Sequence, residues 1–183
     1  MPSVYLLGDS NLVRLQKAPY FKHKFSGYTL QNIAVSGSSV SKGLNNLNEF
    51  LDKNKVEANS ILIILLGTND LKHRSCTPSS FDRPSLKKII KIAGKLFAQI
   101  FLCKVLPIPK TPKQVTPIDA VNKWINGFQS NPKVTVVETF MPFFKHAEYF
   151  EQHYHSDGRP DLIHLNTTGH RILTDILFDA INA

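Results

Sequence analysis

Cysteine is scarce in this sequence, and its scarcity excludes two kinds of protein. The 183 residues hold two cysteines, Cys76 and Cys103, which lie far apart and show no CxxC or Cys/His ligand spacing. A disulfide framework or a structural zinc site needs more ligands at closer spacing. The pattern therefore predicts two reduced thiols and no metal or other cofactor.

Long apolar runs and a signal-peptide pattern are also missing. The longest apolar stretch, ILIILL at 61–66, is far shorter than the roughly 20 residues that cross a bilayer. The first residues lack the charged, apolar and small-residue regions of a signal peptide. We therefore expect a soluble, cytoplasmic chain in which residues 1–183 form one domain.

Acidic residues are outnumbered by basic ones. Lysine and arginine number 22 against 14 aspartates and glutamates, which gives a formal net charge of +8. Such a balance attracts anionic membranes and nucleic acid without specific recognition. No lysine run reaches the length of a nucleic-acid tail, and the aromatic cluster FMPFF at 140–144 lies apart from the lysines. The charge agrees with either partner and identifies neither.

Apolar segments alternate along the chain with segments of helical period. Five strands are predicted, at 3–7, 28–33, 60–66, 99–106 and 133–138. Helices are predicted at 40–52, 84–97, about 116–129 and about 167–181. Strands that alternate with helices imply a parallel sheet covered on both faces. The segments 107–117 and 139–163 are predicted to be long surface loops.

Polar segments follow the first three predicted strands. They are Gly8-Asp9-Ser10-Asn11, the VSGSS at 35–39, and the GTND at 67–70; a fourth, DLIH at 161–164, precedes the last helix. Ligands of open α/β sheets bind outside the carboxyl ends of the strands. A parallel sheet would therefore bring these four segments together.

Acyl-transfer chemistry gives each segment a role. A serine hydroxyl becomes a nucleophile only when a base takes its proton, and the base needs a partner that fixes its tautomer. His164 and Asp161 can supply both functions to Ser10 from one short loop. An oxyanion needs donors already aimed at it, which the N–H groups of Ser10 and Gly37 and the amide of Asn69 can provide.

These residues resemble the four sequence blocks of the SGNH (GDSL-type) hydrolases. GDSN, the glycine of VSGSSV, GTND and DLIH occur in the family's order, from Gly8 to His170. The resemblance implies Ser10 as nucleophile, Gly37 and Asn69 in the oxyanion hole, His164 as base and Asp161 as its orienting acid. It also implies a flavodoxin-like three-layer α/β/α sandwich with a five-stranded parallel sheet. The chain departs from the family in having GDSN for GDSL and DLIHL for the commoner DGxHL.

A narrower likeness is to the esterase domain in the first open reading frame of some LINE-type non-LTR retrotransposons. The basic charge, the compact size and the GDSN, GTND and DLIHLN set are similar. This resemblance implies a short-chain acyl esterase, acting on a small ester or a lipid. It also implies a larger parent protein that binds nucleic acid through other parts.

Each residue also has an ordinary structural interpretation. Ser10 would serve as a helix N-cap, with Asp9 favouring the helix terminus, and Gly37 and Asn69 would be turn residues. His164 would be a hydrogen-bonded loop histidine. Four fragments in the required order, each at a strand end, favour catalysis over these separate interpretations.

Several neighbouring residues keep alternatives open. Asp157 competes with Asp161 as the acid, and His146, His153, His155 and Asp157 are a weak metal-ligand candidate without regular spacing. Asn166-Thr167-Thr168 is a glycosylation sequon at a place where a helix cap is the better explanation. An acyl pocket would be lined by Leu71, Phe81, Phe143 and Phe144. Alternatively, the FMPFF aromatics at 140–144 belong to the core or touch a membrane.

The sequence therefore predicts a metal-independent serine esterase that acts through an acyl-enzyme. The competing hypothesis is a binding module on the same scaffold, which docks on RNA or anionic lipid through its basic surface. A serine-reactive label distinguishes the two, because only the esterase needs an activated Ser10.

Overall fold

The computed structural model describes residues 1–73, 75–109, 112–151 and 161–183, and of residues 112–114 the backbone only. Its strands are β1 (Ser3–Gly8), β2 (Thr29–Asn32), β3 (Ile61–Leu65), β4 (Gln99–Cys103) and β5 (Val134–Val137). Its helices are α1 (Ser10–Leu15), α2 (Pro19–Lys24), α3 (Val40–Lys53), α4 (Thr68–Leu71), α5 (Arg83–Leu96), α6 (Pro112–Asn126) and α7 (Thr167–Asn182). The five predicted strands are all present.

The strands form one parallel sheet in the order β2-β1-β3-β4-β5. β1 therefore lies between β2 and β3, and the segments that follow these three strands emerge side by side. This arrangement confirms the predicted parallel sheet, and it places GDSN between the VSGSS and GTND segments.

Each face of the sheet is covered by helices, which makes three layers. Apolar side chains of α3, α5 and α6 pack on one face with Tyr5, Leu62 and Ile100 of the sheet. Those of α1, α2 and α7 pack on the other face with Leu6 and Ile63. Because both faces are buried, β3 is apolar along its whole length. The architecture confirms the predicted α/β/α sandwich.

Two predicted loops contain helical structure. α6 begins at Pro112, so the carboxyl part of the predicted 107–117 loop is helix, and Pro117 lies inside α6 rather than at its start. In the second predicted loop, Met141–Phe143 and Ala147–Tyr149 form short 3-10 helices. α2, which starts at Pro19, was not predicted, because six residues are too few to show a clear helical period.

Within the described ranges, no helix combines the length and the apolar character needed to span a bilayer.

Candidate active site

Ser10 begins helix α1 directly after β1 ends. The residue that caps this helix is Asp9, whose carboxylate accepts a hydrogen bond from the N–H of Asn11 at 2.9 Å. The interpretation of Ser10 as an N-cap is therefore wrong. Because Asp9 caps the helix, the hydroxyl of Ser10 is left for another partner.

That partner is His164. The Nε2 atom of His164 lies 2.9 Å from Oγ of Ser10, and its Nδ1 atom lies 2.5 Å from a carboxylate oxygen of Asp161. The two contacts run from hydroxyl to imidazole to carboxylate, which is the order that general-base activation of a serine requires. The structure thus brings the three predicted residues into direct contact across 154 positions of sequence.

The carboxylate of Asp161 also organises its own loop. Its second oxygen accepts hydrogen bonds from the N–H groups of Ile163 at 3.1 Å and His164 at 3.4 Å. Burial alone would raise the pKa of Asp161, but the hydrogen bonds from the His164 ring and the Ile163 N–H outweigh burial and lower the pKa below its ordinary value. Asp161 therefore carries a negative charge beside the imidazole at neutral pH.

Asn11 holds the histidine segment from the other side. Its side chain is fully buried; the amide nitrogen donates to the carbonyl of Ile163 at 3.3 Å, and the amide oxygen accepts from the N–H of Leu165 at 3.2 Å. Both neighbours of His164 are thus tied to the helix that carries Ser10. Sequence reasoning treated Asn11 only as a departure from GDSL.

The N–H groups of Ser10 and Gly37 are oriented by the turns that follow β1 and β2. Gly37 has a positive φ of 78°, which a side chain would disfavour, and it is exposed in its turn. Among the described residues, no acceptor takes a hydrogen bond from either N–H. Both donors are available to a ligand.

Asn69 lies in α4, after the third strand. Its amide nitrogen donates one hydrogen bond to the carbonyl of Ser38 at 3.0 Å, and its oxygen accepts from Lys72 at 3.1 Å. An amide nitrogen carries two hydrogens, so the bond to Ser38 orients a second N–H. The contact also joins the GTND segment to the VSGSS segment. The contacts do not link Gly37 or Asn69 directly to Ser10.

Gly67 and Asp70 shape the GTND segment around Asn69. Gly67 has φ of 116°, and a Cβ there would lie 2.6 Å from Phe81 and 2.7 Å from Val105. Asp70 accepts from the N–H of Val40 at 3.1 Å, and burial raises its pKa to about 6. Gly67 thus shapes the turn before Asn69, and Asp70, the residue after Asn69, joins this segment to the start of α3.

The four candidate pocket residues separate into two groups. Leu71 and Phe81 are buried in the core between the sheet and α3, α5 and α6. Phe143 and Phe144, with Ile108, line a cavity of about 290 Å³ beyond the ends of β4 and β5. An aromatic cavity therefore exists at the carboxyl edge of the sheet, on the side of β4 and β5, which is the side away from β2.

Asn166 caps α7. Its side-chain oxygen accepts from the N–H of Gly169 at 3.0 Å, which confirms the capping interpretation. His146 contacts Glu148 at 2.8 Å. The other candidates, His153, His155 and Asp157, lie outside the described residues. Within those residues, no group of three histidine, cysteine or acidic side chains is placed to hold a metal ion.

A parallel α/β sheet that carries a hydroxyl, imidazole and carboxylate in contact at its carboxyl edge has the arrangement of hydrolases with a serine nucleophile. Residues 7–172 match the GDSL-like Lipase/Acylhydrolase family, and the chain belongs to this family. It is accordingly an ester hydrolase of the GDSL type, as predicted. No curated protein matches the chain significantly.

Solved structures of low sequence identity share the fold. A lipolytic protein of the G-D-S-L family from Veillonella parvula is 14% identical, with a TM-score of 0.75 over 100% of this chain and 99% of that one. An acetylxylan esterase from Geobacillus stearothermophilus is 13% identical, with a TM-score of 0.66 over 100% and 94%. An esterase from Pseudoalteromonas sp., in a structure inhibited by monoethylphosphonate, is 18% identical, with a TM-score of 0.64 over 100% and 97%.

Proposed function

We propose that this chain hydrolyses short-chain carboxylic esters, acetyl esters above all, with Ser10 as nucleophile, His164 as general base and Asp161 as the residue that orients the imidazole. The observation that carries the proposal is the unbroken contact from Ser10 Oγ through His164 to Asp161. The membership of the chain in an acylhydrolase family supports the same reaction.

The reaction proceeds in two halves. His164 Nε2 takes the hydroxyl proton as Ser10 Oγ attacks the ester carbonyl, and the imidazolium then gives this proton to the departing alcohol. The resulting acyl-Ser10 is attacked by water, whose proton His164 takes and returns to Ser10 Oγ as the acid leaves. Asp161 stabilises the imidazolium in both halves without accepting its proton.

The oxyanion of each tetrahedral intermediate would be held by three donors. The N–H groups of Ser10 and Gly37 have no described acceptor, and Asn69 has one amide hydrogen beyond its bond to Ser38. β1 lies between β2 and β3, so the segments bearing Gly37 and Asn69 flank the one bearing Ser10. Removing one such donor typically slows the chemical step about 100- to 1000-fold.

A fluorophosphonate probe followed by intact-mass measurement tests the proposal. The wild-type protein should gain one label and hydrolyse p-nitrophenyl acetate, and Ser10→Ala should lose both properties while it unfolds at the same temperature. Activity should fall along the series acetate, butyrate, octanoate. Full activity of Ser10→Ala would refute the nucleophile, and a rise toward octanoate would refute the short-chain assignment in favour of lipid esters.

Docking on RNA or an anionic membrane has only the net charge of +8 as support. This docking, the single-domain extent of residues 1–183 and the likeness to a retrotransposon esterase domain stay predictions.

A further inference from the structure

A second concave surface lies beside the proposed active site, between the segment α1–α2 and the first turns of α7. It is a cleft of about 350 Å³. Its polar lining comes from Arg14, Lys17, Tyr20, Thr167, His170 and Arg171. Among the described residues, no aspartate or glutamate lines this cleft. A wall with three cationic side chains and no acid favours an anion.

Among the described residues, the cations of the cleft are not paired with acids. In the described part of the chain, no ion pair involves Arg14, Lys17 or Arg171. The acid nearest in sequence, Asp175, is taken by other partners, because it accepts a hydrogen bond from Tyr20 at 2.8 Å and pairs with Lys24 at 3.2 Å. The positive charge of the cleft is therefore available to a ligand.

His170 gives the cleft a second feature that fits an anion. Its Nε2 atom is buried and has no hydrogen-bond partner among the described residues. Burial, with the nearby Arg14 guanidinium, lowers the pKa of His170 to about 4. An oxyanion in the cleft would offset the positive charge of Arg14, which together with burial holds this ring neutral.

The cleft is placed to act on the same substrate as Ser10. Arg14 follows Ser10 by four residues on α1, so the two side chains lie on one face of the helix, about 6 Å apart along its axis. Thr167 and His170 follow His164 closely in the chain. A ligand that spans one helical turn therefore reaches from the cleft to the nucleophile.

We propose that the cleft formed by Arg14, Lys17, His170 and Arg171 binds a phosphate or carboxylate group, and that the preferred substrates are esters bearing such a group close to the scissile bond. The second half of this inference rests on the proposed esterase function, and the first half does not. Guanidinium groups suit these ligands because the planar fork of N–H groups can donate paired hydrogen bonds to two oxygens of a carboxylate or a phosphate.

Binding is tested with inorganic phosphate at constant ionic strength, followed through the His170 ring proton by NMR. A saturable shift is expected in wild type and in Ser10→Ala, and the double variant Arg14→Gln/Arg171→Gln should lose it. The matched control is Lys91→Gln/Lys95→Gln, which removes two charges from a separate lysine cleft between α3 and α5 and should keep the shift. No saturable shift in wild type, or equal loss in both double variants, would overturn the cleft as an anion site.

Substrate preference is tested with 4-acetoxybenzoate and the neutral 4-acetoxybenzamide. The ratio of their kcat/KM values should be about tenfold higher in wild type than in Arg14→Gln/Arg171→Gln, since a charge-assisted hydrogen bond is worth roughly that factor. The lysine control should keep the wild-type ratio. An unchanged ratio in the arginine variant would refute the substrate assignment. Phosphate binding without any hydrolysis would instead refute the proposed function and leave the anion site standing.

The source of the anion is distinguished by sedimentation with vesicles. Phosphatidylcholine vesicles with and without phosphatidic acid are compared for wild type and both double variants. Sedimentation that needs phosphatidic acid and is lost only in Arg14→Gln/Arg171→Gln identifies a lipid headgroup in the cleft. Phosphate binding without such sedimentation identifies a soluble anionic ester.

Discussion

The side-chain oxygen of Asn11 accepts a hydrogen bond from the backbone N–H of Leu165 at 3.2 Å, 154 residues further along the chain. The same side chain donates to the carbonyl of Ile163. His164 therefore sits between two backbone groups that are tied to the helix bearing Ser10. This link therefore holds the segment of His164 beside Ser10.

Asn11→Leu should separate catalysis from stability. The substitution leaves the Leu165 N–H and the Ile163 carbonyl unpaired, which should lower the free energy of unfolding by about 3 kcal/mol. A misplaced base should also lower kcat roughly 10- to 100-fold with KM for p-nitrophenyl acetate little changed. Urea unfolding and steady-state kinetics measure the two effects.

Asn122 offers a matched control for Asn11. It is also a buried amide that accepts from a backbone N–H and donates to a carbonyl, both belonging to Val105. Asn122→Leu should therefore cost similar stability and leave kcat close to wild type. If the two variants lose kcat equally, Asn11 acts on the fold alone and has no positioning role.

The sequence was sufficient to predict the sheet and the contacts of His164 with Ser10 and Asp161. Buried parallel strands are apolar throughout, and their carboxyl ends meet, so the four polar segments had to converge. The capping role of Asp9 was not predicted, because neighbouring polar residues compete for a cap and only backbone geometry decides between them. The contacts of Asn11 were hidden for another reason: both partners are backbone groups, which no side-chain pattern announces.

The start of α6 was also beyond sequence reasoning. Pro117 suits a first helical turn, so the sequence predicts a helix that starts at about residue 116. The helix instead begins at Pro112 and tolerates Pro117 within its length at the cost of one backbone hydrogen bond. Packing of Ile118, Val121 and Ile125 against the sheet compensates for that loss.

Asn69→Ala should slow the chemical step without weakening the fold. The loss of one oxyanion donor is expected to lower kcat about 100- to 1000-fold, with little change in KM. Asn46→Ala is the control, because Asn46 donates to the hydroxyl of Ser38 just as Asn69 donates to its carbonyl. Equal kinetic losses in the two variants would mean that Asn69 serves only to hold Ser38.

Gly67→Ala should destabilise the protein and impair catalysis together. Its φ of 116° disfavours alanine, and the new Cβ would lie 2.7 Å from Val105. We expect a loss of about 2 kcal/mol in the free energy of unfolding and a reduced kcat, because the turn before Asn69 must move. Gly94→Ala, in α5 with no heavy atom within 4 Å of the new Cβ, should instead stabilise by about 0.5–1 kcal/mol. Both are read from urea unfolding, and a stable, fully active Gly67→Ala would contradict the strained turn.

The pH dependence of stability should carry a contribution from Asp9. Burial raises the pKa of this carboxyl from 3.8 to about 6, despite the hydrogen bond from the Asn11 N–H that opposes the rise. An acid whose pKa is higher in the folded than in the unfolded protein stabilises the folded state when it is protonated. This contribution to the free energy of unfolding is fully present below pH 3.8 and is lost as the pH rises through about 6.

Asp9→Asn keeps a capping oxygen but cannot titrate, so it isolates this effect. Relative to the variant, wild type should lose about 2.4 kcal/mol of unfolding free energy between pH 4 and pH 7, since each pKa unit corresponds to about 1.4 kcal/mol and the shift is from 3.8 to about 6. Urea unfolding at unit pH steps measures the difference, with the value at pH 4 as reference. A difference that stays constant across this range would show that Asp9 titrates as an ordinary exposed acid. A difference that falls as expected would mean that the folded protein keeps the carboxyl of Asp9, next to Ser10, neutral at acidic pH. The ionisation of Asp9 near neutral pH would then lower the free energy of unfolding.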